Sequence, residues 1–149
     1  DRRQRQMCIR DRIILDKNDN VHFLELGPRA GGNMIPIQLS DAYKVDLIEA
    51  NVKAAMGETV KITANKPGNC YFTYVLHSNS NGVFSHVNYS DTISKYIYRK
   101  AIYKKSGDIV ECFDGAGKAI GILFLHFDNE RQMLEVTVNM SEHIQIILK

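Results

Sequence analysis

Apolar and polar positions alternate in short blocks along most of this chain, and one stretch, Ile48, Val52 and Ala55, repeats instead at helical spacing. Ile13–Asp16 and Val21–Leu26 are apolar stretches on either side of Lys17-Asn18-Asp19-Asn20, which predicts a β-hairpin with a polar turn. Gly27–Asn33 reads as a Gly-rich loop. Ile35–Tyr43 comes next as a helix with Pro36 near its start, where a missing N–H costs nothing. Asp46 and Glu49 put carboxylates at the cap and N3 of a second helix, the pattern of a capping box. Ile48, Val52 and Ala55 then recur one turn apart, and Gly57 ends the helix.

Beyond Gly57 the period shortens. Thr59–Thr63, Cys70–His77, Gly82–Asn88, Tyr96–Tyr103, Asp108–Phe113 and Ala119–Phe127 are β-branched or aromatic runs. Lys66-Pro67-Gly68-Asn69, Asn81-Gly82, Lys105-Ser106-Gly107 and Asp114-Gly115 separate them as turns. Asp128–Asn139 is expected to be helical, with Met133, Leu134 and Val136 as its apolar face, and Ile144–Leu148 reads as a last strand. The fold class expected is α+β: a hairpin, a Gly-rich loop and two helices over residues 13–57, then a β-rich lobe over 58–149.

Composition changes this picture little. The chain has 149 residues, 44% of them apolar and 24% charged, ordinary proportions for a globular domain with a core of its own. No apolar run is long enough to span a membrane, and no apolar leader segment follows the basic N-terminal residues. Cys8, Cys70 and Cys112 show no CxxC spacing, so neither a disulfide framework nor a zinc site is expected. A reducing, cytoplasmic setting is the expectation.

Charge changes it more. Residues 1–12, DRRQRQMCIRDR, hold five Arg and two Asp and could be a basic arm. Arg2 through Asp11, however, reproduce the one-frame translation of the adapter used in transposon-based sequencing libraries. Residues 1–12 are therefore expected to be a non-native, disordered segment, with the native sequence starting near Ile13 and cut off upstream. Without them the formal charge falls from +2 to −1. That leaves no electrostatic case for nucleic acid, where affinity rests on clustered Lys and Arg.

The stretch richest in chemistry is Phe23-Leu24-Glu25-Leu26-Gly27-Pro28-Arg29-Ala30-Gly31-Gly32-Asn33. In a strand, Val21, Phe23 and Glu25 share one face. A carboxylate beside Val and Phe is costly to bury unless it is paired or bound to metal. Arg29 could be its partner, or a clamp on phosphate oxygens that its planar fork matches. Gly31-Gly32 would let the backbone approach a ligand closely. On the residues alone, two readings stand side by side: a structural Glu25–Arg29 ion pair beside a tight turn, and a phosphate site.

The same stretch resembles the strand-and-loop signature of the ATP-grasp superfamily, E-x-N-P-R followed by small residues. Val45-Asp46-Leu47-Ile48-Glu49-Ala50, leading to Met56-Gly57, is similar to the segment that follows the motif in carbamoyl-phosphate-synthase-like and amino-acid-ligase-like members. The resemblance implies the C-terminal fragment of an ATP-dependent carboxylate–amine ligase acting through an acyl-phosphate. It implies ATP and Mg²⁺ (or Mn²⁺) as cofactors, with Glu25 as metal ligand and Arg29 as the catalytic residue that stabilises charge on the transferred phosphoryl group. Gly31, Gly32 and Asn33 would shape the cofactor and substrate pocket. Small-molecule carboxylate and amine substrates, a homodimer, no nucleic acid and no membrane complete the expectation. The family's Asn, a second metal ligand, is Gly27 here; its place would be taken either by a water or substrate oxygen or by Asn33 reaching in from the loop. Another acidic ligand belongs on the preceding strand, where this chain has Arg12. The fragment alone is therefore expected to be inactive. The alternative is a non-catalytic binding or dimerisation module with a structural Glu25–Arg29 pair.

Other candidates read as structural. His22, His77, His86, His126 and His143 form no metal or catalytic spacing, and Cys70 and Cys112 are expected to be buried, inert thiols. Arg99, Lys100, Lys104 and Lys105 read as a solvated strand face, with Tyr96, Tyr98 and Tyr103 packing on the sheet.

Overall fold

The computed structural model describes residues 12–25 and 31–149, with Arg12 and Glu25 described by their backbone alone. The expectation of a disordered segment falls on residues 1–11, outside that description. Arg12, placed with the segment from sequence, instead opens a strand.

Strands β1 (Arg12–Leu15) and β2 (Val21–Glu25) pair antiparallel, with Leu15 opposite Val21 and Arg12 opposite Glu25. Asp16 closes the turn between them. Its carboxylate accepts hydrogen bonds from the N–H groups of Asn18 and Asn20 and from the Asn20 side-chain amide, which hold its pKa down at about 2.

Helix α1 (Ile35–Tyr43) begins with Pro36 in its first turn and stops at Lys44, which adopts a left-handed conformation. The Ser40 hydroxyl ties α1 to the start of the next helix: it donates to Pro36 O at 2.7 Å and accepts from Leu47 N at 3.0 Å. Helix α2 (Leu47–Ala55) is capped by Asp46, whose carboxylate accepts from Ile48 N and Glu49 N. Gly57 ends it at φ 81°. Gly57 N–H bonds to Ala54 O and Glu58 N–H to Lys53 O, which completes a Schellman turn. No residue of α2 is buried.

The β-rich half forms two three-stranded antiparallel sheets. In the first, β7 (Gly121–Phe127) lies between β3 (Cys70–Leu76) and β5 (Ile97–Ile102). In the second, β4 (Gly82–Tyr89) lies between β6 (Ile109–Val110) and β8 (Ile144–Leu148). The core sits between the sheets: Leu76, Leu123, Leu125 and Phe127 from one, Phe84, Val110 and Ile144 from the other. Short helices close its ends. In α3 (Asp91–Ser94), Ile93 is fully buried behind the Ser90 cap. Val136 enters the core from α4 (Glu130–Thr137), and Met140 from α5 (Met140–His143). β7 is buried on both faces, Ile122 and Phe124 on the side away from this core being as covered as Leu123 and Leu125. Helix α1 packs on that outer side, where the Thr73 hydroxyl reaches Gln38 Oε1.

The architecture is thus mixed helix and antiparallel strand, as the α+β expectation required. Four local expectations are corrected. Thr59–Thr63 forms no strand: among the described residues it has no strand to pair with, and Ile62 is half exposed. The Asp108–Phe113 strand shrinks to Ile109–Val110, which pair with Val83 and Gly82. Leu134 faces solvent, and the buried face of α4 is Met133 and Val136. Cys112 is exposed, its thiol 3.3 Å from Asn79 O, while Cys70 is half-buried.

Candidate functional site

Glu25 is the last residue of β2, and Arg12 stands opposite it in the ladder. The register sets residue 12 across from residue 25, beyond an irregularity in the ladder between residues 12 and 13. Position 12 carries a guanidinium group in this chain. The Glu25 side chain, Gly27 and Arg29 lie outside the described residues, so the proposed Glu25–Arg29 proximity belongs to sequence reasoning.

The end of the loop is described, and its backbone is unusual. Asn33 and Met34 are both left-handed, at φ 54° and 56°. Asn adopts this region readily, but Met does not, and such a residue costs about 1–3 kcal/mol. Strain of this kind persists only where surrounding structure enforces it. Ile35 N–H returns to Gly32 O at 3.2 Å and Ile37 N–H to Met34 O at 3.0 Å, so the loop itself satisfies the first turn of α1. A side chain at Gly31 would press on Ile35 Cδ1 at 3.1 Å, whereas one at Gly32 would meet nothing within 4 Å. Gly31 is therefore a packing glycine, and Gly32 leaves an open approach to the backbone.

The donors this stretch offers would be only part of a magnesium shell. Mg²⁺ takes several hard oxygens in near-octahedral geometry. Glu25 offers one carboxylate, Gly27 offers none and residue 12 is cationic. Among the described residues, no three His, Cys, Asp or Glu come together as metal ligands.

A second constellation escaped the sequence reading. Asp41 near the end of α1 accepts from the Tyr98 hydroxyl at 2.9 Å and from Arg99 Nη2 at 3.1 Å, joining α1 to β5. Burial, and then the hydrogen bond to Asp41, push the Tyr98 phenol well above its ordinary pKa and keep it a donor. Lys44 Nζ lies 3.5 Å from the Tyr71 hydroxyl, and Asn69 Nδ2 lies 2.7 Å from His126 Nε2. The basic cluster is thus more than a solvated face. Arg99 is ion-paired and lies over the Phe124 ring, Lys100 Nζ is 3.9 Å from the Tyr89 ring centre, and Lys104 Nζ donates to Ile109 O. Pro36 marked where α1 begins, but nothing local in sequence could say which strand it would meet.

No protein-family model matches the chain, and no curated protein matches it in sequence. Solved structures do match in fold. Phosphoribosylglycinamide synthetase from Anaerococcus prevotii superposes with a TM-score of 0.69 at 19% identity, covering 93% of this chain and 36% of that one. L-amino acid ligase from Bacillus licheniformis gives 0.69 at 13% identity, covering 93% and 35%. N5-carboxyaminoimidazole ribonucleotide synthetase from Thermotoga maritima gives 0.61 at 13%, covering 92% and 36%. All three are ATP-grasp ligases, and the likeness is one of fold. The chain spans about a third of the length of the solved structures it matches. Among the described residues, no helix is long and apolar enough to cross a membrane.

Proposed function

We propose that this chain is part of an ATP-dependent carboxylate–amine ligase of the ATP-grasp superfamily, carrying one edge of its active site over residues 13–57 and a β-rich lobe over 58–149. The observation that carries the reading is the coincidence of two independent signals. The fold matches parts of three such ligases at TM-scores from 0.61 to 0.69, and Glu25, which opens the E-x-G-P-R stretch in sequence, ends β2, with left-handed Asn33 and Met34 ahead of α1.

In the intact enzyme a carboxylate oxygen attacks the γ-phosphorus of ATP, releasing ADP and forming an acyl-phosphate. The amine then attacks the acyl carbon and phosphate leaves. Arg29 would balance the negative charge that accumulates in both steps. The open backbone at Gly32, with Gly31 and Asn33 beside it, would hold the carboxylate substrate. Glu25 would give one oxygen to the Mg²⁺ that accompanies ATP, and a second would come from Asn33 or from a water or substrate oxygen; the rest of the shell would come from outside residues 13–57. Uncovered apolar surface supports a partial chain. Both faces of the β1–β2 pair are exposed, including Ile13, Ile14, Phe23 and Leu24, as are Ile48, Val52 and Met56 along α2. Water-facing apolar surface on this scale marks a place where other protein belongs.

The test starts from the gene. Reading the source DNA upstream of the Ile13 codon, without transposon tagging, should show an acidic residue at position 12. The intact protein should then release ADP with a carboxylate and an amine, and Arg29→Ala should slow that release by ~10²-fold or more. The 149-residue chain alone should release none. A native gene that encodes DRRQRQMCIRDR would remove the ligase reading and leave the non-catalytic module.

A further inference from the structure

We propose that the groove between α1 and the outer face of the β3–β7–β5 sheet binds a small polyanion, one bearing phosphate or several carboxylates. This site is separate from the Gly31–Asn33 loop. The loop precedes the first turn of α1, whereas the groove is built on its last turn, at Asp41 and Lys44. The proposal stands whether or not the ligase reading does.

The groove encloses about 550 Å³, inside the range of roughly 300–1,000 Å³ usual for small-molecule sites. Five separate parts of the chain converge on it: α1, the segment before β3, and strands β3, β5 and β7. The Tyr71 ring is central to its aromatic lining, meeting His126 edge-on at 4.9 Å and Tyr98 at 6.0 Å. Such a triad holds the ring in a fixed orientation.

Charge decides the ligand class. Lys44, Lys66 and Arg99 line the groove, and Asp41 is the one carboxylate among the described residues that does so. Asp41 is already matched by Tyr98 and Arg99. Arg99 spends Nη2 on Asp41 and has further N–H donors in its fork. Among the described residues, Lys66 has no carboxylate within 4.0 Å. Lys44 is held beside Tyr71, its Nζ 5.9 Å from the ring centre. With Asp41 set against Arg99, two positive charges remain in excess around one concavity, and the walls concentrate their field. A bound anion offsets that excess and collects charge-assisted hydrogen bonds from all three cations. The planar fork of Arg99 suits both phosphate and carboxylate, so these sources share one chemistry.

The test is an NMR titration of the ¹⁵N-labelled 149-residue chain, with pyrophosphate in one series and citrate in the other. The expected result is saturable shifts confined to Asp41–Lys44, Asn65–Asn69, Tyr71, Tyr98–Arg99 and His126. Tighter binding of pyrophosphate would identify a phosphorylated ligand, and tighter binding of citrate a polycarboxylate. Lys66→Glu should weaken binding by about tenfold or more, the loss expected for one charge-assisted contact. Lys66 is exposed on an irregular segment, so its reversal should leave the fold intact, and Lys66→Gln gives the same reading without adding a negative charge. Lys17→Glu, on the β1–β2 turn, should leave binding unchanged. Shifts that never saturate, shifts scattered over surface Lys and Arg residues, or equal weakening by Lys66→Glu and Lys17→Glu would overturn the proposal.

Discussion

Two glycines in similar strands should respond differently to the same added methyl. At Gly121 in β7, a Cβ would collide with the carbonyl oxygen of Ala101 and lie 3.0 Å from Ile102 Cα, both backbone atoms of β5. At Gly82 in β4, it would meet Leu148 Cδ1 at 2.9 Å, which can turn away, and Leu148 Cβ at 3.0 Å, which yields with a shift of a few tenths of an ångström at the edge strand β8. Gly121→Ala must therefore push β5 off the central strand, and should cost about 1–3 kcal/mol in chemical unfolding, more than Gly82→Ala. Asp16 makes a prediction of another kind. Its folded pKa is depressed from 3.8 to about 2, first by the Asn20 side chain and then by the N–H groups of Asn20 and Asn18. A depressed carboxylate contributes stability above its unfolded pKa and loses it as pH falls through the folded one. The cross-strand contact between Ile14 and His22 should hold above 3.8 and weaken as pH falls through about 2, as followed by NMR. Asp16→Ala should weaken the same contact above pH 3.8 and abolish its change with pH between 3.8 and about 2. Neither glycine's strain was legible in sequence, because the clashing atoms belong to β5 and β8. The Asp16 turn was legible in part, since Asp16, Asn18 and Asn20 form a local cluster that needs no distant partner.

At the scale of elements, legibility followed the same division between local and distant causes. Both helices after the loop have boundaries that their own residues dictate: Pro36 opens α1, Asp46 caps α2 and Gly57 closes it. The strands at Cys70–Leu76 and Ile144–Leu148 were visible from β-branched and aromatic runs, and each found an antiparallel neighbour. Thr59–Thr63 has the same composition and found none, because β-propensity becomes structure only where a neighbour completes the ladder. Leu134 shows the corresponding limit for α4. The apolar positions on that helix were visible, but which of them the core would accept depends on how α4 lies against β3 and β7. The Asp46 cap gives an element-scale prediction. Since α2 buries no residue, its stability rests on its ends, on the Glu49–Lys53 ion pair and on its contact with α1. Asp46→Ala should cost about 1 kcal/mol locally. Hydrogen exchange should quicken at Ile48–Asn51 while the unfolding midpoint of the β-rich core stays in place, because local opening need not propagate to a core it does not help build.

For the whole molecule, the question is which residues fold as one unit. Sequence punctuation puts a boundary after Gly57, where helical spacing gives way to strands. The contacts of α1 run across that line. Asp41 holds Tyr98 and Arg99 on β5, Gln38 meets Thr73 on β3, Lys44 meets Tyr71, and Asn65 N–H bonds to Tyr43 O. β7 needs a cover on that side, since Ile122 and Phe124 face it and are buried. A chain cut to residues 58–149 would lose α1, uncover the outer face of the β3–β7–β5 sheet and leave Arg99 without its carboxylate. A chain cut to residues 31–149 would lose only the β1–β2 pair, whose apolar side chains are exposed already. Residues 31–149 should therefore keep the unfolding midpoint of the full chain, and residues 58–149 should unfold at lower denaturant or bind a dye for exposed apolar surface. Within 31–149, Asp41→Ala should reproduce part of that loss, about 1–3 kcal/mol, because it leaves Arg99 and the Tyr98 hydroxyl without their shared acceptor. Equal stability of the two truncated chains would mean that the boundary after Gly57 is physical and that α1 rests on the sheet without supporting it.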